Sequence, residues 1–253
     1  MLWQHAFLET RWRFLIGLVV VSVSAAFMAL SYPQVAALTQ SVIPAPGTSL
    51  GREVAESIEL SKTYGGYLWS QWFTQNGAAL GTFFAVIIGT GGLLSQTAAA
   101  RLFTLSLPVS RQQLLGARAA TGLAQVAVLS LLPALVIVVT SPLIAKSFPL
   151  LDALAYALCV FAGSAVFFSL AFLLSSFFAN VWTPVVLALC AGPALGALDQ
   201  ITGSMGAFSL RQMMHGDSYF YGHGLPWPML LASTGLSLAL LYAGSRLIAR
   251  KDF

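Results

Sequence analysis

Three groups of residues in this chain have types that bear on chemistry. His215, Asp217 and His223 offer two imidazoles and a carboxylate, the donors of a metal site, but their spacing fits no tight ligand template. Gly89-Thr90-Gly91-Gly92 has the glycine density of a phosphate-binding loop. No strand precedes it and no lysine follows, so close helix packing is the better account. Ser164, Ser169, Ser175, Ser176 and Gln125 place hydroxyls and an amide inside apolar segments. Nucleophilic catalysis there needs a histidine or acid alongside, and none lies in the body of those segments. There is no His-Glu-x-x-His run, no Gly-x-Ser-x-Gly elbow and no nucleotide-binding loop. The chain reads as a non-enzyme without catalytic, cofactor-binding or metal residues of its own. Any energy source must sit on another subunit.

What remains is the stretch from Ser95 to Arg118, a long break in hydrophobicity that carries Arg101, Arg111 and Arg118 and no acid. Proline lacks an N–H and pushes the preceding residue toward extended backbone, so Leu107-Pro108 breaks any helix. Ser110 and Gln113 then form a capping box, with Val109 and Leu114 at the two staple positions. A helix is expected from about Arg111, running into the next apolar segment with its first turns outside the membrane. Gln96 to Leu105 is alanine-rich and suits a short helix along the membrane surface. The stretch is either a solvated connector or a docking element for a cytoplasmic partner.

The elements around it follow from composition. The chain has 253 residues, 58% hydrophobic and only 8% charged, with a mean hydropathy of +0.83. Soluble domains carry about 25% charged residues, so the bilayer must act as solvent here. The expected fold is an all-α membrane protein with six transmembrane helices. They fall at about 14–30, 78–94, 121–140, 153–175, 181–198 and 229–248, with kinks at Pro133 and Pro193. Met1 to Phe14 reads as an amphipathic interfacial helix and not as a cleaved signal. Outer loops are expected at 31–77 and 199–228. The first carries Pro33, Pro44, Pro46 and Gly47 in its opening part and then a short helix from Leu50 to Ser61, ended by Gly65-Gly66. Tyr67, Trp69, Trp72 and Phe73 follow it as a headgroup-level aromatic belt. The second is partly helical around Met205 to Met214. Cys159 and Cys190 lie in apolar spans and read as packing residues.

Charge sets the orientation. With the N-terminus inside, eight of the 12 basic residues are cytoplasmic: Arg11, Arg13, Arg101, Arg111, Arg118, Arg246, Arg250 and Lys251. Six of the eight acids fall outside. Both termini are therefore expected in the cytoplasm. The net charge of +4 is orientation signalling, and no nucleic-acid partner is expected.

Thr104-Leu-Ser-Leu-Pro-Val-Ser-Arg111, followed by Leu114-Leu-Gly-Ala-Arg118, resembles the cytoplasmic loop of permease subunits of the ABC-2 type transporter family. Glu9-Thr-Arg-Trp-Arg-Phe-Leu-Ile-Gly17 and Arg250-Lys-Asp-Phe253 are similar to that family's ends. Where members often carry a glutamate before the loop, Ser95 to Ala100 has no acid. The resemblance implies a permease in the cell inner membrane, pairing with a second copy or a related permease. It also implies a separate ATP-binding subunit that holds ATP and Mg. Residues 1–14 would be an elbow helix. Arg101, Leu102, Phe103, Thr104, Leu105, Leu107, Pro108, Val109, Ser110 and Arg111 would form the ATPase-coupling loop. Members export varied cargo, and apolar spans without buried charge lean toward an amphipathic or lipid-like one. The alternative is a polytopic scaffold or assembly factor, which has no use for a capped, arginine-flanked cytoplasmic hinge.

Overall fold

The computed structural model describes residues 2–39, 55, 57–90, 111–178, 180–201 and 209–249. No strand occurs among them. The main elements are α1 (Leu2–Thr39), α2 (Tyr64–Leu68), a π-helix (Trp69–Gly77), α3 (Ala78–Gly89), α4 (Arg111–Thr140), α5 (Leu150–Leu174), α6 (Trp182–Ile201), α7 (Leu210–His215), α8 (Asp217–Phe220) and α9 (Trp227–Ala249). Four helices are long and apolar enough to cross a membrane: Phe7–Thr39, Gln113–Ile144, Leu150–Leu174 and Trp227–Leu247. Trp182–Ala197 is a shorter apolar helix.

Side-chain contacts fix the directions. Glu9 and Thr10 of α1 meet Arg118 and Gln125 of α4 at one end of the bundle. At the other end Tyr32 packs on Tyr64, whose hydroxyl lies 2.7 Å from that of Ser141. Thus α1 and α4 run parallel, with α2, the π-helix and α3 antiparallel to both. We call the end holding Glu9 the near end and the one holding Tyr32 the far end. Helix α5 returns from far to near and is the axis of the bundle, with 72% of its most apolar window buried against 22% in α1 and in α9. A short turn after α5 is closed by Asn180, whose Oδ1 accepts the Trp182 N–H at 3.0 Å. Helix α6 climbs back, and α9 descends beside α5, held by the Ser169–Ser237 hydroxyl pair at 2.6 Å.

Small residues set the closest approaches, as helix packing in lipid requires. A Cβ on Gly89 would lie 2.6 Å from the Phe168 carbonyl oxygen, and one on Gly163 would strike Met214 of α7. Gly235 of α9, by contrast, has open space around it. Gly89→Ala is therefore expected to cost about 1–3 kcal/mol through overpacking. Gly235→Ala should be neutral, and thermal unfolding in detergent distinguishes the two.

Several sequence expectations change. The first outer loop does not begin at Ser31, because α1 continues through Pro33 to Thr39. Tertiary packing outweighs the lost backbone bond: buried Tyr32 donates to the Lys62 carbonyl at 3.1 Å, and Val35 and Ala36 pack on the core. Residues 2–13 are continuous with the first apolar span, so the N-terminal segment is not a separate helix. Gly65 and Gly66 open α2 and do not end the preceding helix; the Thr63 hydroxyl caps α2 by accepting the Gly66 N–H at 3.1 Å. The second span starts earlier than Ala78, since α2, the π-helix and α3 form one helical run from Tyr64. Its last expected residues, 91–94, lie outside the described residues.

The aromatic belt is also revised. Tyr67, Trp69, Trp72 and Phe73 are buried, Trp72 to 2% exposure. They face Tyr32, Phe148 and Tyr156 inside the bundle, and Trp69 stacks on Phe220 at 3.9 Å. They bind α1, α5 and α8 to the π-helix at the far end and do not project toward headgroups.

Candidate functional site: a polar clamp and a cleft

The residues predicted to form the loop, Arg101, Leu102, Phe103, Thr104, Leu105, Leu107, Pro108, Val109 and Ser110, lie outside the described residues. Arg111 is placed only as the helical start of α4. What the structure does describe is the root of this segment, where α3 ends and α4 begins. Both are held against α1.

The clamp is built from positions 9, 10 and 13 of α1, which a helix brings to one side. The Glu9 carboxylate pairs with Arg118 at 3.2 Å, and the Arg118 side chain is only 11% exposed. The Thr10 hydroxyl donates to Gln125 Oε1 at 3.0 Å and lies 2.9 Å from Nε2 of the same amide. Thr10 and Gln125 are 4% and 3% exposed, so they satisfy each other out of reach of water. Arg13 Nη1 donates to the carbonyls of Ile87 and Thr90, both at 3.1 Å. Those are the last carbonyls of α3, which have no helical N–H to accept from and sit at the negative end of its dipole. Thr90 leaves the helix in extended backbone with 1% exposure. One helix thus grips both ends of the chain flanking residues 91–110.

Sequence reasoning missed this clamp. The signal was present: Glu9, Thr10 and Arg13 lie within one turn, and Arg118 and Gln125 two turns apart on one face of α4. Three of the four hydroxyls set aside as catalytic candidates have structural roles. Ser169 binds Ser237, Ser175 donates to the Ala171 carbonyl, and Ser176 bonds to Phe172 and Gly244 carbonyls. Ser164 is fully buried and without a hydrogen-bond partner.

A cleft of about 690 Å³ lies between the π-helix with α3, α6 and α7. Its walls include Ala78, Ala79, Phe167, Leu189 and Leu195, and its rim carries Thr74, Gln75, Arg211 and His215. The π-helix forms one wall; such wide turns are often retained at functional sites. Its Trp69 indole N–H holds the end of α7 through the His215 carbonyl at 2.9 Å. Gly216 at φ 68 then turns the chain into α8.

His215 thus lines the cleft, half-buried beside Arg211, while His223 is exposed beyond it. Among the described residues, no three His, Cys, Asp or Glu side chains come together. Burial, and secondarily the Arg211 charge, push the His215 imidazole from 6.5 down to about 4. The native ring resists protonation more than the unfolded one, so the unfolded chain takes up the proton first. Stability is expected to fall as pH drops from about 6.5 toward about 4, with the loss muted in His215→Gln. Melting temperature measured across that window checks it.

No family model matches the chain, and neither does any curated protein or solved structure. Among the described residues the protein is all-α, and its four helices of membrane-crossing length and apolarity mark it as a membrane protein.

Proposed function

We propose that this chain is the membrane-spanning permease subunit of an ATP-driven ABC transporter of the ABC-2 type, acting as an exporter. It crosses the cell inner membrane six times. The crossings are α1, the run from Tyr64 to Gly89, α4, α5, α6 and α9, with both termini and the 91–110 segment in the cytoplasm. The alternating helix directions support this path, and the excess of arginine at the near end supports the orientation. A second copy or a related permease completes the pathway. ATP and Mg belong to the partner ATP-binding subunit.

The observation that carries the reading is the clamp. A segment that receives force from a partner must be anchored at both ends, and here both ends are anchored to the same helix. Closure of two ATPase subunits would draw the 91–110 segments together. Helix α4, 30 residues long and about 45 Å at 1.5 Å per residue, would carry that motion to the far end as a tilt. The elbow of the family corresponds to the first turns of α1, which enter the clamp directly.

The test is purification of tagged protein from its native membrane in mild detergent, with mass spectrometry and an ATPase assay of what accompanies it. A stoichiometric ATP-binding subunit, lost when residues 101–111 are altered, is the expected result. If the chain emerges alone under every condition, the scaffold reading replaces this one.

A further inference from the structure

The cleft against the π-helix combines an apolar body with a single charged corner. Its volume of about 690 Å³ falls within the range of small-molecule sites. Ala78, Ala79, Phe167, Leu189 and Leu195 give it walls without charge. Arg211 is exposed on its rim beside Gly196 of α6 and makes no hydrogen bond or ion pair among the described residues. Asp217 is close enough to feel the Arg211 charge but does not pair with it. Gln75 stands on the opposite wall with its amide exposed. His215, kept neutral near pH 7 by burial, adds a hydrogen-bonding group without a second charge.

We propose that this cleft binds a single-chain anionic amphiphile, a long-chain carboxylate or alkyl phosphate. Its chain lies between α3 and α6, and its head group is held by Arg211 with help from Gln75. Charge complementarity selects the sign, because a cationic head would meet an unpaired guanidinium. The site's layout selects the shape: Thr74, Gln75, Arg211 and His215 give the cleft a polar side, and the apolar body extends from it along α3 and α6 toward Ala79, Phe167 and Leu189. An amphiphile standing in a membrane has the same order. A guanidinium also recognises an anionic oxygen through directed, charge-assisted hydrogen bonds. Binding at this cleft stands on the fold alone; that the bound amphiphile is cargo rests on the transporter reading above.

The experiment uses the full chain in nanodiscs of zwitterionic lipid, with no ATP-binding subunit present. The probe is a long-chain fatty acid bearing a photoreactive diazirine on its chain, with the matching fatty amine and fatty alcohol as comparisons. Labelled peptides are mapped by mass spectrometry. The acid is expected to label α3 and α6 around Ala79 and Leu189. Arg211→Gln should raise its half-saturating concentration roughly tenfold, the loss of one charge-assisted contact. Arg211→Lys should recover most of the affinity, and labelling by the alcohol should not respond to either change. Ala79→Phe, which fills the cleft, should abolish labelling by both. Equal labelling by the amine, or labelling spread over exposed faces of α1 and α9 and blind to these variants, overturns the proposal. Displacement by an anionic two-chain phospholipid as effective as by unlabelled fatty acid overturns the single-chain assignment. Absence of a co-purifying ATPase would sink the transporter reading and leave these outcomes intact.

Discussion

On the permease reading proposed above, Arg13→Met is expected to reach the membrane in normal amounts and to lose at least nine-tenths of the transport-coupled ATP hydrolysis of the complex. Among the described residues, Arg13 alone connects the end of α3 to α1 through charged hydrogen bonds, donating to both Ile87 and Thr90. Hydrogen bonds from charged groups contribute about 1.5–3 kcal/mol, and losing a tenfold in rate corresponds to about 1.4 kcal/mol, so this contact is large enough to produce the effect. The methionine keeps most of the apolar stem and removes the charge, which separates the loss of capping from the loss of packing. Arg11→Met is the control. Arg11 is exposed and makes only a ring contact with its neighbour Trp12, at 5.6 Å, so its replacement should leave activity unchanged. Hydrogen exchange at residues 86–90 provides a readout independent of activity. It should quicken in Arg13→Met and not in Arg11→Met. If the two variants behave alike in both assays, the clamp has no part in transmission.

The parts of this molecule legible in the sequence are those set by local rules. Hydrophobic length placed the helices around α4, α5, α6 and α9 within a few residues, and the turn near Asn180 was visible as a polar gap between apolar runs. The helical backbone from Arg111 agrees with the capping pattern of the residues before it. Features that depend on a distant partner were not legible. Pro33 reads as a helix breaker until Tyr32 is seen buried against the chain at Lys62 and Tyr64. Trp69 and Trp72 suit a headgroup layer and a bundle interior equally well by residue type. Only the closeness of Phe148, Tyr156 and Phe220 decides for the interior. A π-helix differs from an α-helix by one residue in its hydrogen-bond register and leaves no periodicity to read over a run of nine residues. The clamp joins groups more than 70 positions apart, so Glu9, Arg13 and Arg118 read alone as flanking charges and Gln125 as an amide within an apolar segment. The loop residues themselves, Arg101 to Ser110, lie outside the described residues, and their role rests on sequence and on the test that follows.

On the same permease reading, Arg111→Glu and Pro108→Leu should each leave insertion intact and abolish coupling to ATP hydrolysis, for different physical reasons. Arg111 begins a helix that runs without interruption to Thr140, so a change of charge there acts at the loaded end of a rigid element. Reversal puts a negative charge where the proposed partner would meet a positive one. Arg111→Gln, which only removes the charge, should give a partial loss. Pro108 acts through the backbone: leucine restores an N–H and permits helical geometry at residue 107, so α4 can extend backward and consume the segment that must meet the partner. The contact is then lost with no change in charge. Co-purification of the ATP-binding subunit, its hydrolysis rate and transport are measured for each variant. The reversed charge should weaken co-purification in a salt-dependent way, since an exposed ion pair is screened as ionic strength rises. The proline variant should weaken it at every ionic strength. Normal transport by both variants would mean that force does not enter through this segment, and the clamp at its root would then be a structural tie between α1, α3 and α4 alone.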